Sequence, residues 1–284
     1  HHWCSRLYQR LQWRPLTEYP LLMKFIILTI IALLVSPVSA QFTKLPLPAE
    51  VFKVDGHDAF VIHPEKQAAG RPWVWYAPTV ESVPRDFHKF YFERFLAKGI
   101  AVAGYNQGEV RGSEKTSAKF TGFYDAMVAK GFSKKPILLG QSRGGFMMLN
   151  WAFRNPSKLG AFAGIYPVCN ITSWPLVRSK PAVLREYGMT EQEILKQLDK
   201  LNPPENLAGL AKNKVPFFLL HGDQDKIVPY ELNSLLIKNN YEQLGGKVSV
   251  KIVPGGAHTV DPAYFTDQAL VDFVISCAKQ QNGN

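Results

Sequence analysis

Apolar residues fall into short continuous runs separated by stretches with helical spacing, and that alternation predicts the fold. Two strand-like runs, 51–54 and 59–62, flank Asp55-Gly56-His57-Asp58, a hairpin signal. Trp73–Ala77 is a third apolar run, closed by Pro78. Phe87, Phe90, Tyr91 and Phe95 recur at helical spacing, which predicts a helix over 86–98 with Asp86 as N-cap and Gly99 just past its end. A buried strand follows at 100–105. A second helix over 117–130 carries Phe120, Phe123, Tyr124 and Met127 on one face and stops at Gly131. The strand at 137–139 runs at once into a helix over 144–155, which Pro156 terminates. Strands at 161–166, 216–220 and 248–253 and helices over 229–244 and 262–278 complete the series.

Continuous apolar strands separated by amphipathic helices are what a mostly parallel sheet covered on both faces requires. An antiparallel pair is expected only at the start. About fifty residues between the strand ending at 166 and the next at 216 show no strand signal. They contain a capping-box start, Thr190-Glu191-Gln192-Glu193. Residues 169–213 are therefore expected to form a small helical lid inserted over the sheet, too small for a separate domain.

The first forty residues stand apart. From Met23 the chain reads Lys24, an apolar run over 25–35, then Ser36-Pro37 and a small-residue end, Val38-Ser39-Ala40. This is the layout of a secretory leader cleaved before Gln41, and the run is short of the ~20 apolar residues that cross a bilayer. The expected destination is outside the cytoplasm, secreted or periplasmic, with no stable membrane anchor after cleavage. Residues 1–22 are expected to be an upstream extension with no folding role. That leaves 41–284 as a single domain.

The 284 residues are 46% hydrophobic and 20% charged, which excludes disordered, collagen-like and coiled-coil classes. The net charge is +10; removing 1–40 takes away Arg6, Arg10, Arg14, Lys24 and Glu18 and leaves +7. A moderate excess without a basic run is weak ground for an anionic partner, and no nucleic-acid motif accompanies it. Three cysteines, Cys4, Cys169 and Cys277, are too few for a disulfide scaffold or a structural zinc site. No spacing of His-Glu-x-x-His type occurs, so neither a catalytic metal nor a cofactor is expected.

Gly140-Gln141-Ser142-Arg143-Gly144 fits G-x-S-x-G, and its setting matters more than the match. It follows a predicted strand directly and opens a predicted helix, as a nucleophile elbow requires. A serine on so tight a turn needs neighbours without bulk, which Gly140 and Gly144 provide, and Gly145 lets helix and sheet approach. A serine hydroxyl is a weak nucleophile until a general base takes its proton. His221-Gly222-Asp223-Gln224-Asp225 follows one predicted strand and Gly255-Gly256-Ala257-His258 follows another. Serine, carboxylate and histidine thus all lie just past the carboxyl ends of strands, where open α/β sheets place their sites. His57, His63 and His88 lie in early segments that lack this order, so surface or core roles are expected for them.

In order and residues the chain resembles the α/β-hydrolase superfamily over nearly all of 41–284. Residues 221–229, His-Gly-Asp-Gln-Asp-Lys-Ile-Val-Pro, resemble the H-G-x-x-D-x-x-V-P pattern of secreted esterases and prolyl-oligopeptidase-type hydrolases. The resemblance implies an α/β-hydrolase fold and a Ser142–His258–Asp225 triad. Asp223 is then a turn residue, and His221 a histidine packed or hydrogen-bonded within its loop. It also implies an oxyanion hole built from the Arg143 N–H and a second donor after the third strand. Pro78 has no N–H to give, which leaves the N–H of Ala77 or Thr79, or the Tyr76 hydroxyl. Glu109 and Arg111 could select polar substrate groups or pair with each other or Arg143 at the rim. Trp174 and Tyr187 could stack on a substrate or anchor the lid.

The expected activity at this stage is hydrolysis of an acyl or carbohydrate ester through an acyl-enzyme. Two alternatives stand beside it. One is a prolyl-oligopeptidase-type serine peptidase, disfavoured because such enzymes commonly carry a large extra domain that 244 residues cannot hold. The other is a non-enzymatic binder of anionic polysaccharide on a hydrolase scaffold. Oligomeric state is not legible.

Overall fold

Side chains alternate across a strand, so each apolar run in this chain feeds two cores, one on either face of a single sheet. The computed structural model describes residues 45–80 and 83–280; the leader expected at 23–40 and the extension before it lie outside the described residues. The strands are β1 (Glu50–Val54), β2 (His57–Ile62), β3 (Trp73–Ala77), β4 (Ala101–Tyr105), β5 (Ile137–Gln141), β6 (Ala161–Ile165), β7 (Phe217–Gly222) and β8 (Val248–Val253). They pair in the order β1-β2-β4-β3-β5-β6-β7-β8. From β4 onward every pairing is parallel. This is the mostly parallel α/β-hydrolase sheet that the resemblance implied. The antiparallel part extends one pairing further than expected, because β2 also lies against β4, with Ala59 opposite Tyr105.

Helices cover both faces. In chain order they are α1 (Lys89–Leu96), α2 (Glu114–Ala129) and α3 (Arg143–Arg154); then five short helices, α4 (Trp174–Arg178), α5 (Lys180–Tyr187), α6 (Glu191–Leu195), α7 (Leu198–Leu201) and α8 (Ala208–Lys212); then α9 (Ser234–Gln243), α10 (Pro262–Phe265) and α11 (Gln268–Gln280). Trp73 and Trp75 of β3 point to the face covered by α2, α3 and α9, where they meet Phe120, Phe123 and Trp151, in the same core that Tyr241 of α9 joins through Phe217. The Trp75 ring lies 5.0 Å from both Phe123 and Trp151, a well-packed aromatic cluster. Val74 and Tyr76 point the other way, to a core closed by Phe92 and Phe95 of α1 and Val271 and Val274 of α11. A smaller cluster ties α4 to α7 to the body through Phe146, Val168, Leu176, Val183, Ile194 and Val228.

Four helices differ from the expected spans, each for a local reason. α2 begins three residues early, at Glu114, where Ser113 Oγ caps Thr116 N–H. Asp86 sits inside a 3-10 turn, Asp86–His88, that Arg85 precedes. The helix expected from 229 begins at Ser234. The intervening residues turn back on themselves, and the Asn233 side chain bridges Cys169 N–H, Ser173 Oγ and the Pro229 carbonyl. The helix expected over 262–278 breaks in two at Asp267. That carboxylate caps Leu270 N–H at 2.9 Å, and its own N–H donates to Tyr91 Oη. The capping box at Thr190 forms as the sequence indicates, with Glu193 N–H donating to Thr190 Oγ1 and Thr190 N–H to Glu193. Cys169 and Cys277 are free and buried. No helix among the described residues is long and apolar enough to cross a membrane.

Candidate active site

β5 extends through Gln141 into the turn, so Ser142 is thrown out at the strand's carboxyl end before α3 begins. Its backbone takes φ +49°, ψ −125°, a region that costs a non-glycine residue about 1–3 kcal/mol. Hydrogen bonds hold it there: Ser142 N–H donates to Ile165 O at 3.0 Å, and Ser142 O accepts from Gly145 and Val168 N–H. A Cβ on Gly144 would collide with the Ala77 carbonyl, which explains why only glycine fits.

Three side chains from three strand ends meet over this turn. Ser142 Oγ lies 2.8 Å from His258 Nε2, and His258 Nδ1 lies 2.7 Å from Asp225 Oδ2. The other oxygen, Asp225 Oδ1, accepts Ile227 and Val228 N–H at 3.0 and 2.8 Å, so the loop itself aims Oδ2 at the imidazole. With Nδ1–H given to Asp225, Nε2 is free to accept the serine proton. Burial works to raise the Asp225 carboxyl, but hydrogen bonds from His221, His258 and Val228 outweigh it and hold the group well below the usual carboxylate range.

His221 is buried and holds the loop, as expected of it. Its ring bonds Ser234 Oγ at 2.7 Å and the Val228 carbonyl at 2.8 Å. Asp223 is a turn residue whose Oδ1 accepts Gly255 N–H at 2.7 Å. Together with Gln224 N–H to Gly256 O, that bond clamps the aspartate loop to the histidine loop. Close packing of the two loops uses glycine at both Gly222 and Gly256, where a Cβ would strike the Tyr264 hydroxyl.

The expected oxyanion donors divide. Arg143 N–H stands at the first position of α3, where a helix leaves amides unsatisfied. Ala77 and Thr79 flank Pro78, which lines the pocket beside Ser142. The Tyr76 hydroxyl corrects the expectation. It is wholly buried and donates to Gln141 Oε1 at 2.6 Å, so it does not face the substrate side.

The rim residues bind one another. Glu109 accepts Arg143 Nη2 at 2.8 Å and stands 3.5 Å from Arg111 Nη1. Arg111 also donates to Ser179 Oγ, and its guanidinium lies 5.4 Å from the Trp174 ring. Tyr187 Oη donates to the Arg111 carbonyl at 3.1 Å. Beside it Glu186, which the sequence did not single out, accepts Arg111 and Ser113 N–H at 2.7 and 3.1 Å. The α5 helix is thus fastened to the loop after β4. Arg143 Nε is buried and has no acceptor among the described residues.

An open pocket of ≈ 210 Å³ adjoins Ser142, lined by Pro78, Val83, Gln141, Arg143, Tyr166 and the stretch from His258 to Val260. Its size suits a small group rather than a whole drug-sized ligand. Sequence reasoning gave no role to Gln141 or Tyr166 and only a surface or core role to His88, which is buried; their partners lie 25 to 65 positions away. Among the described residues no group of three or more His, Cys, Asp or Glu is placed to hold a metal ion.

The sheet order and the elbow define the class, an α/β-hydrolase-fold serine hydrolase. Residues 104–280 match the prolyl oligopeptidase family, and the chain belongs to it. The acylamino-acid-releasing enzyme of Arabidopsis thaliana is 28% identical over 130 residues, 44% of this chain and 17% of that protein. Among solved structures, a Mycobacterium tuberculosis puromycin-hydrolyzing peptidase matches with TM-score 0.63 and 16% identity, over 83% of this chain and 39% of that one. Porphyromonas gingivalis dipeptidyl peptidase 4 matches with TM-score 0.62 and 13% identity, over 81% and 35%. At such identities the likeness is one of fold.

The chain spans about two-fifths of these solved relatives, so its length says nothing about substrate. Family and relatives correct the expectation of an ester substrate. Both readings share one elbow and triad, so the residues that identified the chemistry did not discriminate the bond. The rim polarity that favoured an ester is taken up by contacts between Glu109, Arg143 and Arg111.

Proposed function

We propose that this chain is the catalytic unit of a serine peptidase that cleaves an amide bond of a short peptide. Its support is the 2.8 Å and 2.7 Å chain from Ser142 through His258 to Asp225, in a member of the prolyl oligopeptidase family. The relatives are named as peptidases or as releasing an acylated amino acid, and an amide substrate agrees with all of them.

In this reading Ser142 Oγ attacks the scissile carbonyl while His258 Nε2 takes its proton. Arg143 N–H and a backbone N–H of Ala77 or Thr79 receive the oxyanion, each donor worth ~3 kcal/mol. His258 then gives its proton to the departing nitrogen and the C–N bond breaks, leaving an ester on Ser142. Water repeats the sequence and frees the acid. Asp225 keeps the imidazole in one tautomer and steadies its charge throughout.

The test is turnover of a panel of short peptides, Pro-containing ones included, against p-nitrophenyl acetate. Amide cleavage that vanishes in Ser142→Ala supports the proposal. A protein that reacts with a fluorophosphonate at Ser142 yet cleaves no amide refutes it. Export through a leader at 23–40 is a separate part of the proposal; an exported protein whose first residue is Gln41 supports it, and retention of residues 23–40 refutes it.

A further inference from the structure

Gln141, the residue before the nucleophile, is buried, and the orientation of its amide follows from counting protons. Its Oε1 lies 2.6 Å from Tyr76 Oη and 2.8 Å from His88 Nε2, and its Nε2 lies 3.0 Å from Tyr166 Oη. Tyr76 is wholly enclosed and has no other acceptor among the described residues, so its proton must go to the amide oxygen. The flipped amide would strand that proton at a cost of about 1–3 kcal/mol. His88 then carries its own proton on Nε2 and accepts Arg85 N–H on Nδ1 at 3.0 Å. The amide NH2 is left facing Tyr166. Tyr166 Oη therefore accepts from Gln141, and its hydroxyl proton finds no acceptor within the network.

The residue that carries it borders the Ser142 pocket. Tyr166 is only 2% exposed, lines the pocket beside His258, and sets its ring 4.5 Å from the imidazole. Its backbone is held at φ +34°, strained for a residue with a Cβ, by a 2.7 Å bond from its N–H to the Leu220 carbonyl. The imidazole that takes the serine proton must hand it to the leaving nitrogen, so the leaving half of the substrate lies against His258. Thr259 and Val260 wall that side of the pocket, and Tyr166 is buried beside the imidazole.

The geometry points to Tyr166 as a hydrogen-bond donor to the leaving half of a peptide, at the carbonyl oxygen of the residue after the scissile bond. Gln141 and His88 are positioning residues that aim its proton. This rests on the serine-peptidase reading of the same site.

Partitioning of the acyl-enzyme tests it. An activated p-nitrophenyl acyl donor loads Ser142, and an added amine competes with water. The amine nitrogen bonds to the acyl carbon, its proton passes through His258 to Ser142 Oγ, and the Oγ–C bond breaks. This reverses acylation, so the amine occupies the leaving-group position. Glycinamide brings the carbonyl; ethylamine lacks it. In Tyr166→Phe, aminolysis by glycinamide relative to hydrolysis is expected to fall roughly tenfold, with ethylamine unchanged. Gln141→Met is expected to lose the same preference. Far-UV circular dichroism and a urea midpoint matching wild type report intact folding. Equal loss with both amines, or loss with neither, overturns the proposal. Discrimination between the amines by a wild type that hydrolyses no peptide keeps the donor and refutes the peptidase reading instead.

Discussion

Lowering the pH from 7 to 5 is expected to weaken the fold through one buried histidine. His88 is enclosed by Tyr76, Phe87, Phe92 and Phe265. Burial pushes its pKa down to about 4, against the hydrogen bonds to Gln141 and Arg85. The unfolded chain returns it to about 6.5. The unfolded state therefore binds more protons between these values, and stability falls as pH falls through that window. The loss amounts to about 2 kcal/mol between pH 7 and 5 and about 3 kcal/mol once pH passes below 4. Asp225 acts in a separate window: its depressed carboxyl stabilises the fold above about pH 4 and loses that effect below it. His88→Gln separates the two, because glutamine keeps an N–H for Gln141 Oε1 and cannot titrate. Urea unfolding at pH 7, 6 and 5, followed by tryptophan fluorescence, should show wild type losing its advantage over the variant by about 2 kcal/mol. Parallel stability curves for the two proteins would refute the assignment of His88 as a buried neutral residue.

Three further outcomes follow from the loops that carry the site. Asp225→Asn is expected to lower kcat about 10⁴-fold with KM little changed, because the imidazole loses its fixed tautomer; steady-state peptide kinetics check it. Tyr264 Oη is buried without a partner among the described residues, so Tyr264→Phe should leave stability unchanged or raise it by about 1 kcal/mol. Gly256→Ala should be destabilising and partly rescued by that same change, measured as a double-mutant cycle in urea.

The parts of this molecule that local pattern decides were legible in its sequence. β3 and β8 occupy the expected spans because apolar runs bounded by polar turns leave little choice. The elbow was legible because its glycines answer to contacts made within a few residues of Ser142 and on the neighbouring strand. The triad members were legible because each directly follows a strand. What failed was non-local. The helix after β7 starts late because Asn233 is recruited to Cys169, 64 positions earlier. Tyr76 stayed among three candidate oxyanion donors because its partner, Gln141, is set by the pairing of β3 with β5. Glu186 went unnoticed because only the folded chain brings it to the backbone of Arg111. The choice between ester and amide was not legible at all, since both bonds use the same three side chains.

The most direct test of the central claim is to treat the protein with a fluorophosphonate, map the adduct by mass spectrometry and follow peptide cleavage in the same sample. One adduct per chain on Ser142, with amide turnover lost in proportion to its formation, is the predicted result. Peptide cleavage that continues when Ser142 is fully modified would contradict it.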